Sequence, residues 1–356
     1  MTDRPSPPPK LDLCATTATE LHQAAAVWFG KDKGKGLANA VHRQAVCAGT
    51  FAPEDLGAGP RAAAVWRDHA TLDLPTCTSQ QSEPGEHGEI LKRLLRLHDG
   101  RTIESVSLPM GHDRRSLCVS TQVGCARGCT FCETGKLGLL RNLTAGEIVA
   151  QVTSQRQLSN VDQVVFQGMG EPLDNLDSLL AAMRVLHDPV GIGLAQDRMT
   201  VCTVGHVPGI DALRELGWKR LGLSLSLNSA DEQQRAQLMP HSVRYSLPEI
   251  QAALVRYRQR KNLALGVHWC LLPGINDTPR DAQQLANFVA PLGRTFVHVI
   301  PYNPGSDPIA AAPNETQIET FVGLLRDRGI AVRRRITKGR SVMAGCGQLS
   351  GRPAAT

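Results

Sequence analysis

The segment "VGCARGCTFC" (residues 123–132) puts Cys125, Cys129 and Cys132 within eight positions of a chain with ten cysteines in all. The spacing C-x3-C-x2-C suits a metal or an inorganic cluster. Structural zinc usually takes four ligands, often as two CxxC pairs, and no second such pair occurs in this sequence. A [4Fe–4S] cluster usually takes four thiolates. Held by only three, it keeps one iron with an open position where a substrate or cofactor can bind. "GMGEP" (168–172) is a second candidate. Gly168 and Gly170 would let backbone carbonyls approach an ammonium group closely, and Glu171 would offer it negative charge. Taken alone, the same string also suits a plain strand-to-helix turn.

These residues need a scaffold. The chain has 356 residues, a net charge of +6 and no apolar run near the ~20 residues of a membrane span. That charge permits a polyanionic partner without requiring one. The start, "MTDRPSPPPK", lacks the basic-then-apolar order of a secretory signal. The sequence therefore predicts a disordered tail over 1–10 and a cytoplasmic protein. Reduced thiols then favour metal or catalytic roles over a disulfide framework.

Two unequal parts are expected. Residues 11–95 carry helical periodicity in "ATELHQAAAVWF" and "GEILKRLLRLHDG", with the polar "TCTSQQSEPGEHGE" (76–89) between them as a linker. From about 100 to 350 the pattern becomes strands alternating with helices. The strands are "SLCVSTQV", "DQVVFQ", "RMTVCTV", "RLGLSLSL", "ALGVHWCLL" and "TFVHVIPYN". "TAGE" from Thr144 is a capping box that should open the first helix. Six strands in this alternation predict an α/β fold, a parallel sheet closed or nearly closed into a barrel. Reactive groups in such folds gather at the carboxyl ends of the strands, where the cysteines and "GMGEP" fall.

The cysteine spacing with Phe131 before the last cysteine, together with "GMGEP", resembles the radical S-adenosylmethionine (SAM) superfamily. Five further stretches narrow the resemblance to the RlmN/Cfr family of radical SAM RNA methyltransferases acting on adenosine. They run in order: Leu117–Cys125, Thr134–Ile148, Gly168–Pro172, Pro301–Pro304 ("PYNP") and Cys346–Leu349 ("CGQL"). The likeness covers about residues 100–350. It implies a partial (β/α)6 radical SAM barrel preceded by a small helical domain.

The resemblance also implies roles. Cys125, Cys129 and Cys132 would ligate the cluster. SAM would occupy the open iron and yield a 5′-deoxyadenosyl radical. The substrate carbon is C2 or C8 of an adenine, with C2 favoured. Both that amidine carbon and the SAM methyl are electrophilic, so direct displacement fails. One SAM would instead methylate Cys346, and a second would supply the radical that activates this methyl for addition to the base. Cys118 would then attack the Cys346 sulfur, leaving a transient disulfide. Glu104 matches the family's proton acceptor. Gly170, Glu171, Cys202, Ser226, Leu227, Asn228 and Asn303 match its SAM contacts. Cys202 stands where the family has serine and Asn228 where it has histidine. Cys14, Cys47, Cys77 and Cys270 match nothing and are read as structural.

RNA is the implied partner, as large-subunit rRNA with tRNA the further candidate, alongside an external electron donor such as flavodoxin or ferredoxin. A monomer is expected. "VRRRITKGR" (332–340), just before Cys346, could bring phosphates to the reaction centre. "RYRQRK" (256–261) is read as a solvated helix face, and the lysine- and glycine-rich "GKDKGKG" as a phosphate contact. Aromatic residues make up 4%, too few for stacking platforms, so specificity would come from RNA shape and a flipped adenosine. Two alternatives stand beside this reading: a radical SAM reaction without a methyl carrier, and a zinc-held RNA-binding module without catalysis.

Overall fold

The computed structural model describes residues 9–30, 33–242, 244–258, 260–335, 339 and 342–351. The expected tail falls mostly outside them, as do Ile336–Lys338 and Arg340 of the basic stretch. The chain divides into two compact units.

The first unit gathers the chain up to Pro75 with Thr144–Asn160 and Asp177–Leu194. A short parallel pair, β1 (Leu11–Asp12) and β2 (Ala70–Thr71), ties its ends. Helix α1 (Ala18–Phe29) starts at a capping box between Thr17 and Glu20 and buries Leu21, Ala25 and Phe29, four residues apart on one face. Helices α2 (Ala38–Arg43) and α3 (Pro60–His69) add Val41 and Trp66 to that core. The helix Ala145–Arg156 opens at the predicted Thr144–Glu147 capping box. Its Thr153 hydroxyl donates to the Val46 carbonyl at 3.0 Å.

The second unit carries a ten-stranded sheet. An antiparallel edge comes first: β3 (Thr76–Gly85), β4 (Gly88–Arg96) and β5 (Thr102–Pro109), which pairs with β6 (Arg115–Val119). The expected linker and the helix expected after it are therefore a β-hairpin. Strand β4 buries consecutive residues, Lys92 to Leu95, so both of its faces are covered. Alternation disappears in such a strand and its apolar string imitates a helix. The N-terminal stretch of the helical unit accordingly runs to Pro75, before this hairpin.

Beside the cysteine loop, β7 (Gln122–Gly124) pairs with β8 (Leu139–Asn142). The parallel part runs through β6, β9 (Gln163–Phe166), β10 (Met199–Thr203), β11 (Gly222–Ser226), β12 (Leu265–Leu271), β13 (Thr295–Pro301) and β14 (Val332–Arg334). All six expected strands are present, and β14 adds a seventh. Trp269 on β12 stacks on Phe321 at 5.9 Å, packing the sheet against helix Glu315–Arg326. Among the described residues, no helix is long and apolar enough to cross a membrane.

Candidate active site

The second unit encloses a cavity of about 730 Å³, lined in part by Cys118, Cys125, Cys129, Cys132, Glu171 and Cys346. The sheet register explains how strands far apart in sequence furnish one wall. Ser226 pairs with His268, and His268 with His298. Alternate residues of each strand share a face, so Gly266, His268 and Cys270 of β12 all reach the cavity.

The three cysteines sit on a loop fixed at many points. The Cys125 amide donates to Gly138 O at 2.9 Å, the Cys132 amide to Cys129 O at 3.1 Å, and the Arg127 amide to the Cys125 sulfur at 3.5 Å. Arg127 is clamped by Asp174 and by the His241 carbonyl. Burial pushes the Cys125 thiol up to about 12 and Cys129 well above its ordinary value, and neighbouring sulfurs raise both further. Binding iron as thiolates relieves that penalty, so the donor set fits the implied cluster. Among the described residues, no three ligating side chains close around a single ion. The cysteines line a wall and form no cage for one metal.

The "GMGEP" turn is shaped by steric need. Gly170 has φ +99°, and a Cβ there would meet the Gln122 side chain at 2.5 Å. The Glu171 side chain is buried. One oxygen accepts from the Thr203 hydroxyl (2.6 Å) and the Leu173 amide (3.2 Å), the other from the Val204 amide (2.9 Å). Burial still outweighs these donors and lifts its pKa to about 7. A cation in the cavity would restore the carboxylate, which suits the SAM ammonium.

The remaining expected SAM contacts divide. Ser226 and Cys202 line the cavity. The Cys202 thiol donates to Gln167 Oε1 at 3.3 Å, and Gln167 Nε2 lies 3.2 Å from His268 Nδ1. Asn228, at φ 59°, also lines it, but its Oδ1 accepts from the Cys270 amide at 2.9 Å. Its Nδ2 donates to the Met239 sulfur at 3.4 Å, which leaves one N–H for a ligand. Leu227, just after β11, is fully buried and is not among the residues that line the cavity. Its amide bonds to His268 O at 3.1 Å. Asn303 is buried with no hydrogen-bond partner for Oδ1 among the described residues. Such an orphaned acceptor marks a place for a donor.

Cys118 and Cys346 share the cavity. Burial pushes the Cys118 thiol up to about 12, and Cys346 raises it further. The Cys346 thiol opens to the cavity yet is crowded by protein behind. That crowding raises its pKa, while the Arg335 cation opposes the rise. The Cys346 turn is tied to the cysteine loop by the Glu133 amide, which donates to Gly347 O at 2.7 Å. Glu104 lies elsewhere. It is fully buried and does not line the cavity. Lys92 Nζ is 2.8 Å from its Oε1, and the Ser350 amide donates to its Oε2 at 2.8 Å.

Several cavity residues escaped the sequence reading: Gln167, His268, His298 and Cys270. Cys270 was read as structural, but the alternation of β12 turns it inward. Polar or small residues at 266, 268 and 270 among apolar ones were the available signal. Of the basic stretch, Arg334 pairs with Glu315 and Glu319, Arg333 lies 4.0 Å over the Phe296 ring, and Arg335 Nε donates to His298 Nδ1 at 3.1 Å. Arg256 of the second basic cluster is bound to Asp211 at 2.8 Å, in keeping with a solvated helix face.

Comparison with known proteins agrees with this arrangement. The radical SAM superfamily profile matches residues 119–289. The dual-specificity RNA methyltransferase RlmN of Syntrophotalea carbinolica is 40% identical over 285 residues, covering 80% of this chain and 76% of the relative. That of Syntrophobacter fumaroxidans is 41% identical over 283 residues, covering 78% and 81%. The crystal structure of a radical SAM methyltransferase from Sphaerobacter thermophilus superimposes with a TM-score of 0.86 at 32% identity, covering 96% of this chain and 100% of that one.

Proposed function

The chain belongs to the RlmN/Cfr family of radical SAM RNA methyltransferases, and from that membership we propose that it methylates an adenosine ring carbon, C2 before C8, through a methyl-cysteine at position 346. Large-subunit rRNA is the proposed substrate, with tRNA as a second. The observation that carries this reading is the joint presence of Cys118 and Cys346 with Cys125, Cys129 and Cys132 around one cavity.

Cys125, Cys129 and Cys132 would hold a [4Fe–4S] cluster, and Gly170, Glu171, Cys202, Ser226, Asn228 and Asn303 would surround SAM. When bound, these groups supply an electrophilic methyl and a one-electron cleavage that generates a primary carbon radical. The protein performs the rest. The Cys346 thiol gives up its proton and accepts the methyl, a step the nearby Arg335 cation assists by favouring the thiolate. Once a hydrogen is removed from that methyl, its carbon adds to the adenine ring. Glu104 is the proposed acceptor of the ring proton. It must first exchange its bonds to Lys92 and Ser350. Cys118 then attacks the Cys346 sulfur as a thiolate. The S–CH2 bond breaks as the disulfide forms, and the released methylene takes up a proton. The surplus electron would return to the oxidised cluster, and an outside reductant reopens the disulfide. An external electron donor such as flavodoxin or ferredoxin completes the proposed partners.

Mass spectrometry of rRNA and tRNA nucleosides from cells with and without the gene tests this. Loss of 2-methyladenosine on deletion is expected. Loss of 8-methyladenosine instead would revise the carbon, and an unchanged methyladenosine profile would refute the proposal.

A further inference from the structure

The pair Lys92–Glu104 is the most deeply buried lysine or arginine ion pair among those described: 5% exposed for Lys92 and none for Glu104. Strand register accounts for the pair. Lys92 stands opposite Val106, and Leu94 opposite Glu104, so Lys92 and Glu104 are diagonal neighbours on one face of the β4–β5 ladder. Val106 of that face also lines the cavity and pairs with Cys118 on β6.

Both members of the pair reach the segment that carries Cys346. Lys92 Nζ donates to Met343 O at 3.0 Å, three residues before the cysteine. Glu104 Oε2 accepts from the Ser350 amide at 2.8 Å, four residues after it. Neighbouring bonds extend the grip. Thr102 Oγ1 donates to Gly351 O and Thr134 Oγ1 to Leu349 O, each at 2.5 Å. The segment is irregular, so it has no ladder of its own to hold it. An irregular turn with a left-handed residue at Met343 (φ 51°) needs such outside anchors to keep one conformation.

We infer that Lys92 and Glu104 form a buried clamp that positions the Cys346 segment, gripping it on both sides of the reactive cysteine. Lys92 is a positioning residue in this account, since it acts through the segment and through Glu104. The inference rests on the reading of Cys346 as the methyl carrier. The charge pair explains why a lysine is retained in a dry site. Its ammonium serves one carbonyl and one carboxylate at once, and the carboxylate balances its charge.

The test compares Lys92→Met, Lys92→Arg and the double variant Lys92→Met/Glu104→Gln with wild type, all with the cluster reconstituted. The double variant leaves no buried charge stranded and so guards against simple unfolding. Amide hydrogen exchange of the peptide 343–351 is measured beside that of β9 to β13. Methylation of Cys346 by SAM without RNA is followed by intact mass. The clamp predicts at least tenfold faster exchange in 343–351 for Lys92→Met and the double variant, with the barrel strands within twofold of wild type. It predicts a tenfold lower rate of Cys346 methylation at unchanged KM for SAM, and recovery in Lys92→Arg. Exchange in 343–351 within twofold of wild type in the folded double variant overturns the clamp. A wild-type protein whose Cys346 never gains a methyl, while the variants still loosen that peptide, upholds the clamp and overturns the carrier reading.

Discussion

The Thr203 hydroxyl, at the carboxyl end of β10, meets a carboxylate oxygen of Glu171, in the turn after β9, at 2.6 Å. The bond fixes a buried acid at the edge of the cavity in one orientation. Burial holds its pKa near 7 against an ordinary value of 4.5, so below about 7 the folded protein keeps this group protonated. A SAM ammonium needs the carboxylate. Affinity for S-adenosylhomocysteine should therefore rise about tenfold from pH 6 to pH 8, read by calorimetry, and Glu171→Gln should flatten the profile. Linkage gives the opposite sign for the ligand-free fold, whose stability falls as pH climbs from 4.5 toward 7. A flat profile in the wild type would remove Glu171 from the site.

Cys118 and Cys346 divide the chemistry in time. Cys346→Ala should abolish methylated RNA while 5′-deoxyadenosine still forms, because the cluster cysteines are untouched. Cys118→Ala should halt one step later and leave enzyme and RNA covalently joined, visible as a nuclease-sensitive shift on a denaturing gel. A free, methylated RNA product from Cys118→Ala would show that this thiol does not resolve the adduct.

Gly345 is packed without room for a side chain. A Cβ there would come within 2.7 Å of Asn303 Nδ2 and 2.8 Å of Gln348 Oε1. Gly345→Ala should push the Cys346 turn away from Asn303 and cut RNA methylation at least tenfold. Global stability should fall by no more than about 1–3 kcal/mol, the usual cost of overpacking. Turnover equal to wild type would mean that the turn need not sit against Asn303.

Cys202 donates to Gln167, whose amide faces His268, so a serine should serve as well as the thiol. A hydroxyl is the better donor, and Cys202→Ser should retain turnover within about threefold. Cys202→Leu should lose most of it by breaking the chain to His268, whose imidazole burial keeps neutral well below its ordinary range. Equal activity of the serine and leucine variants would show that this chain of bonds does not matter.

Legibility followed the physics of each segment. The six barrel strands were visible because each is bounded by helical periodicity and turn residues. The cysteine loop was visible because its spacing carries chemistry in itself, whereas Glu171 and Cys346 were visible only through the family resemblance. The β3–β4 hairpin was hidden because β4 is covered on both faces and has no alternation to show. Lys92 was hidden for the same reason, since a lysine in an apolar string looks like the polar face of a helix. His268 and His298 became cavity residues only through register, a relation between strands that no single window contains.

The most direct test of the central claim is the mass of the Cys346 peptide from cluster-reconstituted enzyme after incubation with methyl-labelled SAM and no RNA. A labelled methyl group on Cys346, which then appears in RNA when substrate is added, is the predicted result. An unmodified Cys346 peptide from enzyme that nonetheless methylates RNA at full rate would contradict it.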